Sequence, residues 1–288
     1  MTSEGGVLVL GAVAYDPKVV TIWDGFRRWF AARGLPMTYV LYAHYEHQVE
    51  DLMAGRIDVA WNSPLAWIRA SRMGAARRLE VQPLMMRDSD CDLTSAFVVR
   101  ADSGIETVED LRGRVVGTGA VDSPQATLLP LNHLQEAGLT PGSDFTVQRF
   151  DVGVGLHGDH VGGERDAAQA LMAGEVDAAC MLDANHLAFS RDGTLPAGAT
   201  RVLAQTVLFV HCMMTSGPSA SAESLQKLTD LLLSMSYSDP EARPLLDMEG
   251  LKAWVPGRTS GYGPLDAATD ALHFYDAEGN IVAADYRP

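Results

Sequence analysis

The chain says one phrase twice. Residues 52–60 read LMAGRIDVA, and more than a hundred residues later, positions 171–179 read LMAGEVDAA. Each copy closes a stretch with helical periodicity, residues 48–53 in one case and 166–172 in the other. Each then runs through a glycine, a charged residue, a β-branched residue and an aspartate into a short apolar segment. A glycine at that place ends a helix, because it accepts the left-handed conformation that the cap requires, and the apolar run after it reads as a buried strand. The strands end at Trp61-Asn62-Ser63-Pro64 and at Met181-Leu182-Asp183. The period is far too long for a solenoid, whose repeats span about 20–50 residues. Two similar α/β lobes are therefore predicted, with ligand expected beyond the carboxyl ends of their strands, in a cleft that both post-strand segments would wall.

The remaining elements fit this scheme. Residues 7–12 form an apolar strand, and residues 18–33 an amphipathic helix with Val19, Ile22, Trp23, Phe26, Trp29 and Phe30 on one face, stopped by Gly34. Ser63-Pro64 and Ser123-Pro124 each pair a capping hydroxyl with proline in a first helical turn. Residues 151–163 form a glycine-rich loop, and residues 251–263 read as a Gly/Pro-punctuated loop without regular structure. The length of 288 residues is about that of two domains. The lobes are expected at 1–99 plus 206–288 and at 100–205.

Charge and cysteine content narrow the function classes. A net charge of −15 without a Lys/Arg-rich run argues against nucleic acid and against anionic membranes as partners. No apolar run is long enough for membrane insertion. The first residues lack a basic region and a sufficient apolar core for a secretory signal. Three widely spaced cysteines, Cys91, Cys180 and Cys212, suit a reducing compartment. The expected location is cytoplasmic if Met1 is the native start and periplasmic if a signal peptide was removed.

The ordered motifs carry a resemblance. Tyr45 lies ahead of the first repeat. A strand at 96–99 leads to Ala-Asp-Ser-Gly, then to DLRG at 110–113, a DSP helix start at 122–124, and the second repeat. This order resembles the phosphate/phosphite/phosphonate-binding proteins of ABC importers, of the type II periplasmic-binding-protein fold, over roughly residues 7–255. The resemblance implies two α/β lobes joined by crossing strands near residues 99–101 and 204–206, hinge closure over a small polar ligand, and an ABC permease as partner if the protein is exported. It also implies roles. Tyr45 falls on a phosphonate-binding tyrosine, and Ser123 on the first hydroxyl of an anion loop. The departures are as informative. Pro124 and Gln125 replace the next two hydroxyls, Leu93 stands near a second ligand tyrosine, Glu164 replaces a ligand histidine, and His211 lies near a ligand aspartate. A carboxylate in place of an anion-binding histidine repels a phosphonate, so a different ligand is expected.

The candidate ligand-binding residues are thus Tyr15, Tyr45, Asn62, Ser63, Ser123, Gln125, Glu164, Asp183 and His211. For Ser63 and Ser123 the alternative is a simple helix cap. Imidazole and carboxylate suit Zn, Fe or Mn, which makes His157, His160, Glu164 and His211 candidate ligands of a divalent metal cofactor, against a reading as solvated loop residues. The rival to solute binding is a cytosolic enzyme on the same scaffold, a chorismate-dehydratase-like lyase or a metal-dependent biosynthetic enzyme. In it Glu164 or His211 would act as general base while Ser123 and Asn62 orient the substrate. Glu164, opening the helix of the second repeat, is expected to stay ionised. It would take as partner a ligand cation, a metal or Arg165.

Overall fold

A computed structural model describes residues 6–159 and 162–288; the candidate His160 lies outside them. The chain alternates strands and helices: β1 (Leu8–Val13), α1 (Lys18–Ala32), β2 (Met37–Tyr42), α2 (Tyr45–Met53), β3 (Val59–Asn62), α3 (Pro64–Arg77) and β4 (Gln82–Arg87). There follow β5 (Ser95–Arg100), β6 (Val115–Thr118), a π-helical turn (Pro124–Leu128) running into α4 (Leu129–Glu136), β7 (Thr146–Arg149), α5 (Gly162–Ala173), β8 (Ala178–Leu182), α6 (Asp183–Asp192) and β9 (Thr200–Gln205). The chain ends with β10 (Met213–Ser216), α7 (Ala222–Ser234), α8 (Arg243–Glu249), β11 (Trp254–Pro256) and α9 (Gly263–Ala271).

The strands make two sheets, ordered β11-β4-β10-β3-β1-β2 and β7-β6-β8-β5-β9. Each has a parallel trio, with β1 between β2 and β3 and β6 between β7 and β8. Each trio is extended by antiparallel strands. Helical crossovers are what parallel neighbours require, and the sequence supplies them between every parallel pair. Among the described residues no helix is long and apolar enough to cross a membrane.

The chain divides into two compact units. The first runs through Cys91 and takes in Val210–Gly261 and Ala277–Asn280; the second holds Asp92–Phe209, Tyr262–Asp276 and Ile281–Pro288. The expected boundaries at 99 and 206 therefore shift outward. The cause is that β5 and β9 pair with each other, Phe97 against Ala204 and Val99 against Arg201, so both belong wholly to the second sheet. The C-terminal part, expected entirely in the first lobe, is shared. Residues 251–263, expected to lack regular structure, contain β11, which pairs with β4 through Trp254↔Arg87.

Within the first unit the core gathers Trp23, Phe26 and Phe30 of α1 with Trp61 and Trp254. The Trp61 and Trp254 rings meet edge-on at 5.6 Å. Side chains of this size contribute about 1.5–3 kcal/mol each on burial. In the second unit the alternation of β5 divides the core between two faces: Ala96 and Val98 pack with Ala168 and Leu171 of α5, and Phe97 and Val99 with Leu131 and Leu134 of α4.

The repeated phrase builds the same joint in each unit. Gly55 and Gly174 take φ values of 69° and 77°. The Arg56 and Glu175 amides donate back to Asp51 and Ala170, both at 2.9 Å, closing the helix. Asp58 then exchanges bonds with Val9 at the start of β1: its amide donates to the Val9 carbonyl (2.9 Å), and its carboxylate accepts from the Val9 amide (2.8 Å). Asp177 does the same with Val115 at 2.8 and 2.9 Å. The β-branched residue beside each aspartate packs over a strand glycine. A Cβ on Gly11 would lie 2.5 Å from Ile57, and one on Gly117 would lie 3.2 Å from Val176. The aspartate thus pins a backbone N–H at the start of the neighbouring parallel strand, which fixes register. Asp58→Ala and Asp177→Ala are each expected to lower unfolding free energy by about 1–3 kcal/mol, the worth of a charge-assisted hydrogen bond. Urea unfolding checks this, and a loss at one site alone would end the equivalence.

Candidate functional site

In the second unit the sequence Gly119-Ala120-Val121-Asp122-Ser123-Pro124-Gln125 carries β6 into the π-helical turn. Proline supplies the first helical φ, and the Ser123 Oγ accepts from the Ala126 amide at 3.2 Å. The amides of Thr127 and Leu128 both donate to the Ser123 carbonyl, at 3.1 and 3.0 Å. The first turn is therefore wider than an α-turn, a feature that recurs at functional sites. Ser123 and Gln125 are both buried.

The glycine-rich loop folds onto this helix start. Asp122 accepts through Oδ2 from the amides of Gly155 (2.7 Å) and His157 (3.0 Å). The Gln125 Nε2 donates to the Gly158 carbonyl at 2.8 Å. Gly158 has φ +72°, and a Cβ there would fall 2.3 Å from the Ser123 Oγ, so only glycine permits this approach. His157 is buried with φ 52°, and its Nε2 lies 3.4 Å from the Tyr286 hydroxyl.

Glu164 completes the arrangement. One carboxylate oxygen accepts from Gln125 Nε2 at 3.0 Å; the other accepts from the Leu182 amide at 2.9 Å and the Asn185 Nδ2 at 2.8 Å. All three are neutral N–H donors. Arg165 turns instead to Asp192 and Thr194. Burial pushes the Glu164 carboxyl above the usual carboxylate range, opposed by those three hydrogen bonds. Burial thus works against the ionised form that the helix dipole favours. Asp122 is raised for the same reason, against the pull of His157 and its backbone donors. Asp183 accepts from Thr94 Oγ1 at 3.1 Å and from the Ala184 amide at 2.6 Å. Burial also pushes up the Cys180 thiol, which behaves as a small core hydrophobe.

Two buried side-chain acceptors of the site are open. Among the described residues, Asp122 Oδ1 and Gln125 Oε1 have no hydrogen-bond partner. The Gln125 amide is oriented without ambiguity, since its nitrogen faces two acceptors, the Gly158 carbonyl and Glu164.

In the first unit Tyr45 is buried at the start of α2. Asn62 ends β3; its Oδ1 accepts from Gln48 Nε2 at 2.9 Å, while its Nδ2 has no partner among the described residues. Ser63 caps α3 through the Ala66 amide at 3.1 Å. Tyr15 is half-buried beneath Lys18, whose Nζ lies 5.6 Å from the ring centre. His211 lies beside Asp90 and Cys212. Of the expected metal ligands, Glu164 and His157 thus belong to the second unit and His211 to the first.

Sequence reasoning missed Asp122, Gln48 and Asn185. The first two carried a signal: Asp122 precedes the capping Ser123 directly, and Gln48 lies one helical turn after Tyr45. Asn185 reaches Glu164 only through tertiary folding.

The family model described as ABC transporter, phosphonate, periplasmic substrate-binding protein matches residues 12–262. Among solved structures, PhnD1 from Prochlorococcus marinus in complex with methylphosphonate superposes with a TM-score of 0.69 at 15% identity, covering 94% of this chain and 99% of that one. XAC2383 from Xanthomonas citri, solved bound to chloride ion and to ATP, gives 0.71 at 18%, over 93% and 98%. The periplasmic aliphatic sulphonate binding protein SsuA from Escherichia coli gives 0.57 at 17%, over 94% and 92%. At these identities the likeness is one of fold, that of periplasmic binding proteins.

Proposed function

The chain belongs to the family of periplasmic phosphonate substrate-binding proteins of ABC transporters, and from that premise we infer that it binds a small polar solute which brings hydrogen-bond donors, such as an amine or amide, in place of a phosphonate or phosphate. The observation that carries this reading is the pair of buried acceptors, Asp122 Oδ1 and Gln125 Oε1, that flank Ser123 without donors. The neighbouring Glu164 strengthens it, because its Gln125 link ties up the one amide nitrogen in the anion-loop position. An oxyanion needs donors, and a site with open acceptors and two buried carboxylates repels it. A ligand N–H would satisfy both acceptors and offset their desolvation. An ABC permease is the partner that this family membership suggests, and export would be its condition.

The test combines native mass spectrometry of the purified protein with calorimetry. Methylphosphonate and inorganic phosphate are expected to bind weakly or not at all, and the co-purifying or best-binding solute is expected to carry an N–H donor. Gln125→Ser, which restores a hydroxyl and removes the acceptor, should weaken binding of that solute about tenfold or more, the worth of one buried hydrogen bond. Micromolar affinity of the parent protein for either oxyanion would refute this ligand class while leaving the family membership untouched.

A further inference from the structure

His211 and Cys212 are adjacent in sequence, yet both side chains turn to one place. The His211 Nδ1 lies 3.1 Å from the Cys212 Sγ and 3.6 Å from the Asp90 Oδ1. The three potential ligand atoms lie within 4.8 Å of one another, and all three residues are buried. The backbone holds them there. The His211 amide donates to the Asp90 carbonyl at 2.8 Å, and β10 begins at the very next residue after Cys212, locked between β3 and β4. Asp90 is oriented by Arg87, whose Nε and Nη2 donate to its two oxygens at 2.6 and 2.8 Å. Arg87 in turn is fixed by the Glu249 carbonyl at 2.9 Å, with the Glu249 carboxylate at 3.5 Å.

We propose that Asp90, His211 and Cys212 bind a thiophilic divalent cation of the zinc class. One thiolate, one imidazole and one carboxylate form a donor set that suits such an ion. For metal–ligand bonds of about 2.0–2.3 Å, tetrahedral geometry spaces the ligand atoms by about 3.3–3.6 Å. The observed 3.1 and 3.6 Å lie within a few tenths of an ångström of that spacing, and the third pair lies within 4.8 Å. Charge agrees. Asp90 and Glu249 face one guanidinium, so the cluster carries an excess negative charge. Loading releases the Cys212 thiol proton to solvent as the sulfur–metal bond forms, after which three negative groups meet Arg87 and a dication. Arg87 uses one lone pair on each Asp90 oxygen, and each oxygen retains another. The guanidinium acts as the outer hydrogen-bond donor that positions a ligating carboxylate. Entry is past His211, whose side chain is 10% exposed. The rival explanation of the same charge is a protonated His211 paired with Asp90. It predicts no thiolate coordination, so the two are separable.

Cobalt(II) serves as the probe on the full, reduced chain. One equivalent is expected to bind with a near-ultraviolet sulfur-to-cobalt charge-transfer band, and zinc(II) should displace it. Cys212→Ser should abolish the band, and His211→Gln should weaken binding tenfold or more. Cys91→Ala and Cys180→Ala should leave it unchanged. X-ray absorption of the zinc-loaded parent protein needs no variant, and should show one sulfur with nitrogen and oxygen neighbours. Absence of the band, its survival in Cys212→Ser, or a zinc shell without sulfur would mean an adventitious ion only and would overturn the assignment.

Discussion

Gly163→Ala is expected to destabilise the protein by about 3 kcal/mol, at the top of the range for overpacking in a close-packed interior. The added Cβ would fall 2.2 Å from the Phe150 carbonyl oxygen, 3.0 Å from the Gly119 Cα and 3.2 Å from the Ala120 nitrogen. All three are backbone atoms, so no side-chain rotation relieves the clash. Either α5 shifts at its start or the segment between β6 and Ser123 moves. Both movements separate Glu164 from Gln125, so solute binding should fall together with stability. Gly263→Ala is the matched control. It lies at the start of α9, where a Cβ meets nothing within 4 Å, and its effect should be near zero. Urea unfolding of the two variants checks the contrast, and equal effects would show that the packing of α5 against residues 119–120 does not set stability.

The parts that were legible in the sequence are those whose physics is local. The glycine caps at 55 and 174, the aspartates that follow them and the apolar face of α1 were all readable from spacing, because helix termination and amphipathicity depend on a few neighbouring residues. The order of weak motifs gave the family, which the match over residues 12–262 shows. What escaped were features fixed by pairing across the sheet. β4 draws no strand reading from the sequence, and β11 reads as a loop with glycine and proline, until each is supplied with its partner. The unit boundary shifted for the same reason, since the pairing of β5 with β9 places both in the second sheet. At the candidate site the sequence pointed to Ser123, Gln125 and Glu164 singly. Their linkage through Gln125 Nε2 depends on the loop laying Gly158 against Ser123, a close approach that no spacing rule encodes.

Replacing Glu164 should have the second large effect, and its pH dependence identifies the cause. Glu164→Ala removes a buried acceptor, leaving the Leu182 and Asn185 donors without a partner and Gln125 Nε2 with Gly158 alone, beside a new cavity. A loss of about 3–5 kcal/mol is expected. Glu164→Gln keeps the shape. Its carbonyl can accept from Leu182 and Asn185, but its amide meets the Gln125 amide nitrogen donor to donor, so a smaller loss of about 1–2 kcal/mol is expected. The sign with pH follows from burial, which raises the Glu164 carboxyl in the folded state. Above the ordinary carboxylate range the unfolded chain has released this proton while the folded chain still holds it. Stability from this group therefore falls as pH rises, until the raised folded value is passed. The variant lacks that loss. The stability difference between parent and Glu164→Gln should accordingly be largest near pH 4 and shrink toward neutral pH, by about 1.4 kcal/mol for each unit by which the carboxyl is raised. Asp122, raised in the same sense, is present in both proteins and cancels in the difference. Urea unfolding of both proteins across that range is the measurement. A difference that grows with pH would mean a depressed carboxyl, and hence a cation held against Glu164 in place of the neutral donors.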